Sequence, residues 1–126
     1  MARPTDRLAA LERFYVEGLG LAVRGRFAGH GGYDGLILAW GEDGAEIEFT
    51  KHEDSSPGPE PTAENLLVFY LDDAAALEEA RARLATHGAA PVPPENPYWE
   101  GIGLAFLDPD GWPVMLVDQA ALDARR

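Results

Sequence analysis

Glu48, His30 and His52 are the side chains of this sequence whose types could do acid–base chemistry. Glu48 beside either imidazole could pass a proton to or from a bound molecule, or hold its polar groups. Glu48 is therefore the candidate catalytic group. The three together are also enough in number for a divalent ion, although nothing in their spacing fixes a geometry. The plainer alternative is a solvated strand face, or a carboxylate satisfied by Arg24 or Arg26. His87, just before Gly88, sits where a helix C-terminus favours a partly positive imidazole, which is a structural role. Other chemistries are excluded. The sequence has no Gly-x-Ser-x-Gly elbow, no His-Glu-x-x-His and no Rossmann glycine pattern after a strand. Ser55 and Ser56 are its only serines, and cysteine is absent, so a serine or cysteine nucleophile is not available. His30 and Asp34 flank Gly31-Gly32-Tyr33, but no strand–loop–helix context makes this a phosphate loop.

The element that must position Glu48 is the clearest strand of the chain. Residues 45–52 alternate, with Ala45, Ile47 and Phe49 on one face and Glu46, Glu48, Thr50 and His52 on the other. A second strand, 65–71, puts Leu66, Val68 and Tyr70 on one face. Strands at 102–107 and 112–117 are joined by Asp108-Pro109-Asp110-Gly111, a strong turn signal; Trp112 is out of phase with Met115. The loop Asn96-Pro97-Tyr98-Trp99 carries two adjacent large aromatics. They either cap the core or offer faces to a flat ligand or a partner.

The remaining elements follow from period and breakers. A short strand at 2–5 precedes a helix capped by Asp6, with Leu8, Leu11, Tyr15 and Leu19 at helical spacing and Gly18 and Gly20 ending it. Residues 21–28 read as a strand of imperfect apolar phase, 29–32 as a flexible turn, 33–40 as a strand and 41–44 as a hairpin turn. Asp72 or Asp73 caps a helix carrying Leu77, Ala80 and Leu84, which Gly88 ends. Residues 89–92 are a short strand, and 119–126 a short helix or a frayed end. Residues 53–64 hold three Pro and four acids with no apolar period and read as a linker. The chain is thus one domain over 1–126, with a first module at about 2–52 and a second at about 65–118. The order strand, helix, three strands is used twice.

Composition narrows the partners. Acidic residues outnumber basic ones 22 to 10, a formal charge of −12. A nucleic-acid binder needs the opposite sign, as does an anionic membrane surface, so neither partner is expected. No signal peptide is expected, the longest apolar run is too short to span a bilayer, and a cytoplasmic location is the expectation.

Phe14-Tyr15 followed by Leu19-Gly20 resembles the Phe-Tyr…Leu-Gly signature that ends the first helix of vicinal oxygen chelate proteins. This is the group of the glyoxalases, bleomycin resistance proteins and extradiol dioxygenases. Phe106-Leu107-Asp108-Pro109-Asp110-Gly111 is similar to its final hairpin, and the likeness covers about 2–118. It implies an α+β fold of two βαβββ modules, a curled mixed sheet around a cleft that binds small molecules, and pairing as a homodimer. Metal-dependent members carry His, Glu, His and Glu at matching places on cleft strands. Here the first strand has Arg3 or a neighbour, the second place has Glu48, the third falls near Leu66 and the fourth on Met115. No metal or other cofactor is expected at that position; a displaced divalent site at His30, Glu48 and His52 is the alternative.

The expected ligand-binding residues are His30, Glu48, Thr50, His52, Leu66, Val68, Tyr70, Tyr98, Trp99 and Met115, a mostly apolar lining suited to an aromatic or amphipathic molecule. The expected function is metal-independent small-molecule binding in the manner of the drug-sequestering branch. The alternatives are a lyase, isomerase or dioxygenase using Glu48, and a module that acts through dimer contacts alone.

Overall fold

The structure, a computed structural model, describes residues 1–41, 44–54, 56–57, 61–62 and 65–126. Glu42 and Asp43 of the expected hairpin turn lie outside these residues, as does part of the expected linker. The chain divides into two compact units, Met1–Glu60 and Pro61–Arg126.

The first unit runs β1 (Ala2–Pro4), α1 (Leu8–Glu12) continuing as a π-helical turn (Arg13–Gly18), β2 (Ala22–His30), β3 (Tyr33–Ala39) and β4 (Glu46–His52). Its sheet order is β1-β4-β3-β2, with β1 parallel to β4 and the other pairs antiparallel. Asp6 does not cap α1, as its sequence position suggests. Its carboxylate pairs with Lys51 at 2.7 Å, and Arg7 is the N-cap residue of α1, with no side-chain cap. An ammonium partner is a stronger draw for a carboxylate than a backbone amide. The Thr5 hydroxyl instead accepts from the Arg7 N–H at 2.9 Å.

The wide π turn, in which the Leu19 N–H donates to the Phe14 carbonyl at 3.0 Å, lets two consecutive aromatics face the sheet. Phe14 is 5% and Tyr15 0% exposed. Tyr15 lies 5.2 Å from Phe49, centroid to centroid. Phe49 pairs across the sheet with Leu36, and Ile47 with Leu38, so these four and Tyr15 form the core on the α1 side. Arg3 is buried on the same side, its guanidinium 5.0 Å over the Phe49 ring.

The second unit runs β5 (Leu67–Leu71), α2 (Ala74–Thr86), a 3-10 turn (Pro97–Trp99), β6 (Gly103–Leu107), β7 (Pro113–Asp118) and α3 (Gln119–Arg125). Its sheet order is β5-β7-β6, with β5 parallel and β6 antiparallel to β7. Asp73 caps α2 as its position predicts, accepting from the Ala76 N–H at 2.9 Å. Asp108 shapes the β6–β7 turn by accepting from the amides of Asp110 and Trp112 at 2.9 and 3.0 Å. The strand expected at 89–92 shrinks to one bridge, Val92 with Ala105. Pro91, Pro93 and Pro94 surround Val92, and proline cannot donate to a ladder. The C-terminal residues form an ordered helix because Asp118 caps it, accepting from the Ala121 N–H at 3.0 Å.

Both units therefore use a mixed α+β plan with open, mixed sheets of four and three strands. Among the described residues no helix is long and apolar enough to cross a membrane.

Candidate functional site

In the first unit the face away from α1 is built in three rows. Register pairs Ala2 with Glu48, Glu48 with Ile37 and Ile37 with Gly25. The next row is Pro4, Thr50, Gly35 and Phe27, and the last is His52, Tyr33 and His30. His30, Glu48, Thr50 and His52 thus share one face, as the alternation of 45–52 and the turn at 29–32 suggest. His30 needs a device to reach it. Three residues of β2, after Phe27, oppose two of β3, so a bulge returns His30 to the face of Phe27. Gly29 takes a positive φ of 63° within it, and its N–H donates to the Asp34 carboxylate at 2.9 Å.

Four rings line this end of the face. Phe27 and His30 meet edge to face at 6.1 Å, Tyr33 and His52 at 4.7 Å. The Phe27 ring lies over Gly35: a Cβ there would stand 2.0 Å from its Cζ. His52 Nδ1 accepts from the Asp54 N–H at 3.1 Å.

Glu48 is half-buried. Among the described residues its carboxylate accepts no hydrogen bond and joins no ion pair. The arginines that sequence offers as its partners are engaged elsewhere. Arg26 makes a two-pronged pair with Glu12 at 2.5 and 2.6 Å, and Arg24 donates to the Gly41 carbonyl at 3.1 Å. The Arg26 guanidinium holds the Glu12 carboxyl below its ordinary range, and Glu12 in turn raises Arg26.

In the second unit the register sets Val68, Met115, Ala105 and Val92 in one row, with Tyr70, Val117 and Gly103 in the next. Leu66, just before β5, shares their parity. Met115 is 1% exposed and forms a cluster with Ile102, Ala105, Val117 and Leu122, against which Val68 and Trp99 pack. Beside it lies an apolar pocket of about 70 Å³, lined by Leu66, Val92, Trp99, Ala105, Leu107 and Met115 among others. Tyr70 and Tyr98 stay 48% and 50% exposed. Tyr98 and Trp99 are held edge to face at 5.2 Å.

Sequence reasoning missed Phe27, Tyr33 and Ile37 on the first face, and Leu122 and Arg125 on the second. Arg125 donates to the carbonyls of Tyr98 and Glu100 at 2.7 and 2.8 Å, tying α3 to the aromatic loop. The phase of Phe27 was hidden by the bulges, whereas Tyr33 and Ile37 alternate within 33–39 and were legible there.

The positions that hold a metal in the vicinal oxygen chelate group do not fit one here. Glu48 has Ala2 and Ile37 across the strands, and Met115 has Val68 and Ala105. A catalytic divalent ion takes about three nitrogen or oxygen ligands at roughly 2.0–2.2 Å, and these neighbours offer none. The displaced site at His30, Glu48 and His52 is not assembled either. Glu48 and His52 are four strand residues apart, about 13 Å, and among the described residues no three His, Asp or Glu gather for a metal.

Strand order and register within each unit, with the likeness to a glyoxalase-type crystal structure given below, place this chain in the vicinal oxygen chelate class. More narrowly, it belongs to the YycE-like family: residues 1–50 match the YycE-like N-terminal domain and residues 64–118 the YycE-like C-terminal domain. YycE of Bacillus subtilis (strain 168) is 38% identical over 125 residues, spanning 99% of this chain and 90% of that protein. The crystal structure of a Bacillus subtilis YycE protein aligns with a TM-score of 0.86 at 40% identity, over 93% of this chain and 85% of that one. The trypanothione-dependent glyoxalase I of Leishmania major aligns with a TM-score of 0.76 at 18% identity, over 99% and 88% of the two chains, which is a likeness of fold. TnmS3, an antibiotic binding protein of Streptomyces sp. CB03234, aligns at 0.60 with 25% identity over 93% and 90%.

Proposed function

We propose that this chain binds an apolar or aromatic small molecule without a catalytic metal, with the ring-lined sheet face of the first unit as the place where it is recognised. The observation that carries this reading is the Glu48 carboxylate. A half-buried carboxylate with no partner costs free energy unless something supplies hydrogen-bond donors or charge. A bound ligand would do so. In the first unit, rings line the end of the face that carries Glu48, and in the second unit the row at Met115 is apolar; both are the kind of lining that small-molecule sites use. TnmS3, an antibiotic binding protein, has a related fold and so lends the reading support. The residues proposed to contact a ligand are His30, Glu48, Thr50 and His52 in the first unit, and Leu66, Val68, Tyr70, Tyr98, Trp99 and Met115 in the second. Pairing into a homodimer is part of the proposal and rests on the class; a cytoplasmic location rests on the sequence.

Screening metal-stripped protein by thermal shift against flat apolar compounds tests it. A saturable rise in melting temperature that is unchanged by chelator supports binding without metal. A rise that needs added metal, or turnover lost in Glu48→Gln with the fold intact, places the chain with the enzymes instead.

A further inference from the structure

We propose that the ligand is an organic cation, an arylalkylamine whose protonated nitrogen pairs with Glu48 while its ring stacks beside Phe27. This rests on the small-molecule reading above and names its ligand class.

Three observations converge on it. Glu48 is half-buried and holds no partner among the described residues, while its strand neighbours Ala2 and Ile37 are apolar. Such a carboxylate favours a cationic donor, because opposite charge adds Coulomb attraction to the hydrogen bond that a neutral donor could also make. Next, Phe27 lies over Gly35, in the row adjoining Glu48, and is only half-buried, so its outer side remains open. With His30, Tyr33 and His52 it makes a ring-lined end to the face, the kind of surface that attracts cationic aromatics. Finally, the chain carries a formal charge of −12. Arg26 and Lys51, on the strands of this sheet, are already committed to Glu12 and Asp6. Net negative charge steers a cation inward and repels an anion.

The register also sets a length. The Phe27 ring over Gly35 is one strand across from β4 and two residues along from Glu48. These offsets of about 4.8 and 6.6 Å combine to about 8 Å between nitrogen and ring.

The test uses three probes of one shape on the whole chain, with chelator present: 4-phenylbutylamine, 4-phenylbutanol and 5-phenylpentanoate, each titrated by calorimetry. The amine should bind at least about tenfold tighter than the alcohol, equivalent to about 1.4 kcal/mol, and the carboxylate most weakly. In Glu48→Gln, with its melting temperature retained, the amine-to-alcohol ratio should fall to about one. Phe27→Ala should weaken all three probes. An alcohol that binds as well as the amine, or a ratio that survives Glu48→Gln, overturns the cation assignment and leaves the small-molecule reading standing. Failure of all three to bind overturns both.

Discussion

The Phe27 ring rests on Gly35, its strand partner, at a distance that leaves no room for a side chain. The glycine gives up cross-strand packing of its own so that the tip of an aromatic ring can sit over the backbone of β3. Gly35→Ala is therefore expected to push the ring off its seat and destabilise the first unit by about 1–3 kcal/mol, in the range of overpacked cores. Urea unfolding of Gly35→Ala, Phe27→Ala and the double variant measures it. The double variant should be less destabilised than the sum of the two, because the clash is gone once the ring is.

Leu122 is the large apolar anchor of α3, 4% exposed in the cluster with Met115 and Val117. Leu122→Ala should cost about 2 kcal/mol, the low end for buried leucine, because a terminal helix can fray rather than hold a cavity open. Hydrogen exchange over 119–125 should quicken in this variant and, more mildly, in Arg125→Ala. That second variant loses the two bonds to the Tyr98 and Glu100 carbonyls. Unchanged exchange in both would mean that α3 is held by other contacts.

The Glu12–Arg26 pair gives the acid limb of stability a defined sign. The hydrogen bonds from Arg26 lower the Glu12 carboxyl in the folded chain. A depressed folded value contributes stability that is fully present above the unfolded carboxylate range, about 4.3, and is lost as pH falls through the folded value. Glu12→Gln should therefore lower the melting temperature slightly at neutral pH and flatten its fall on acidification below that range. The effect stays small and shrinks with added salt, because the Arg26 side chain is 56% and that of Glu12 32% exposed. An acid limb identical in the two proteins would assign it to other carboxylates.

The parts of this fold that follow simple periods could be read from the chain. Residues 45–52 alternate without interruption, so the face of Glu48 and the opposite core positions Ile47 and Phe49 were both legible. Asp73 and Asp108 act locally, through amides two to four residues on, and short-range geometry of that kind is written in the sequence. The misreadings sit where a longer-range contact or a break in period decides. Asp6 looks like a cap until Lys51, far along the chain, takes its carboxylate. The imperfect phase of β2 comes from two irregularities, after Val23 and after Phe27; the second moves His30 onto the site. The expected strand at 89–92 has the right residue in Val92, but its proline neighbours leave only one bridge. Leu122 gave a single large apolar point in a short alanine-containing segment, too little to establish a period, although Asp118 before it was a usable cap signal.

Metal content tests the account most directly, because the whole reading turns on Glu48 and Met115 facing apolar neighbours instead of other ligands. Tag-free protein would be incubated in turn with nickel, zinc, manganese and iron, desalted, and analysed for bound metal. The account predicts amounts well below one metal per chain for every ion, with a melting temperature unmoved by chelator. A stoichiometry near one for any of them, lost in Glu48→Gln, would contradict it and return the protein to the metal-dependent enzymes of its class.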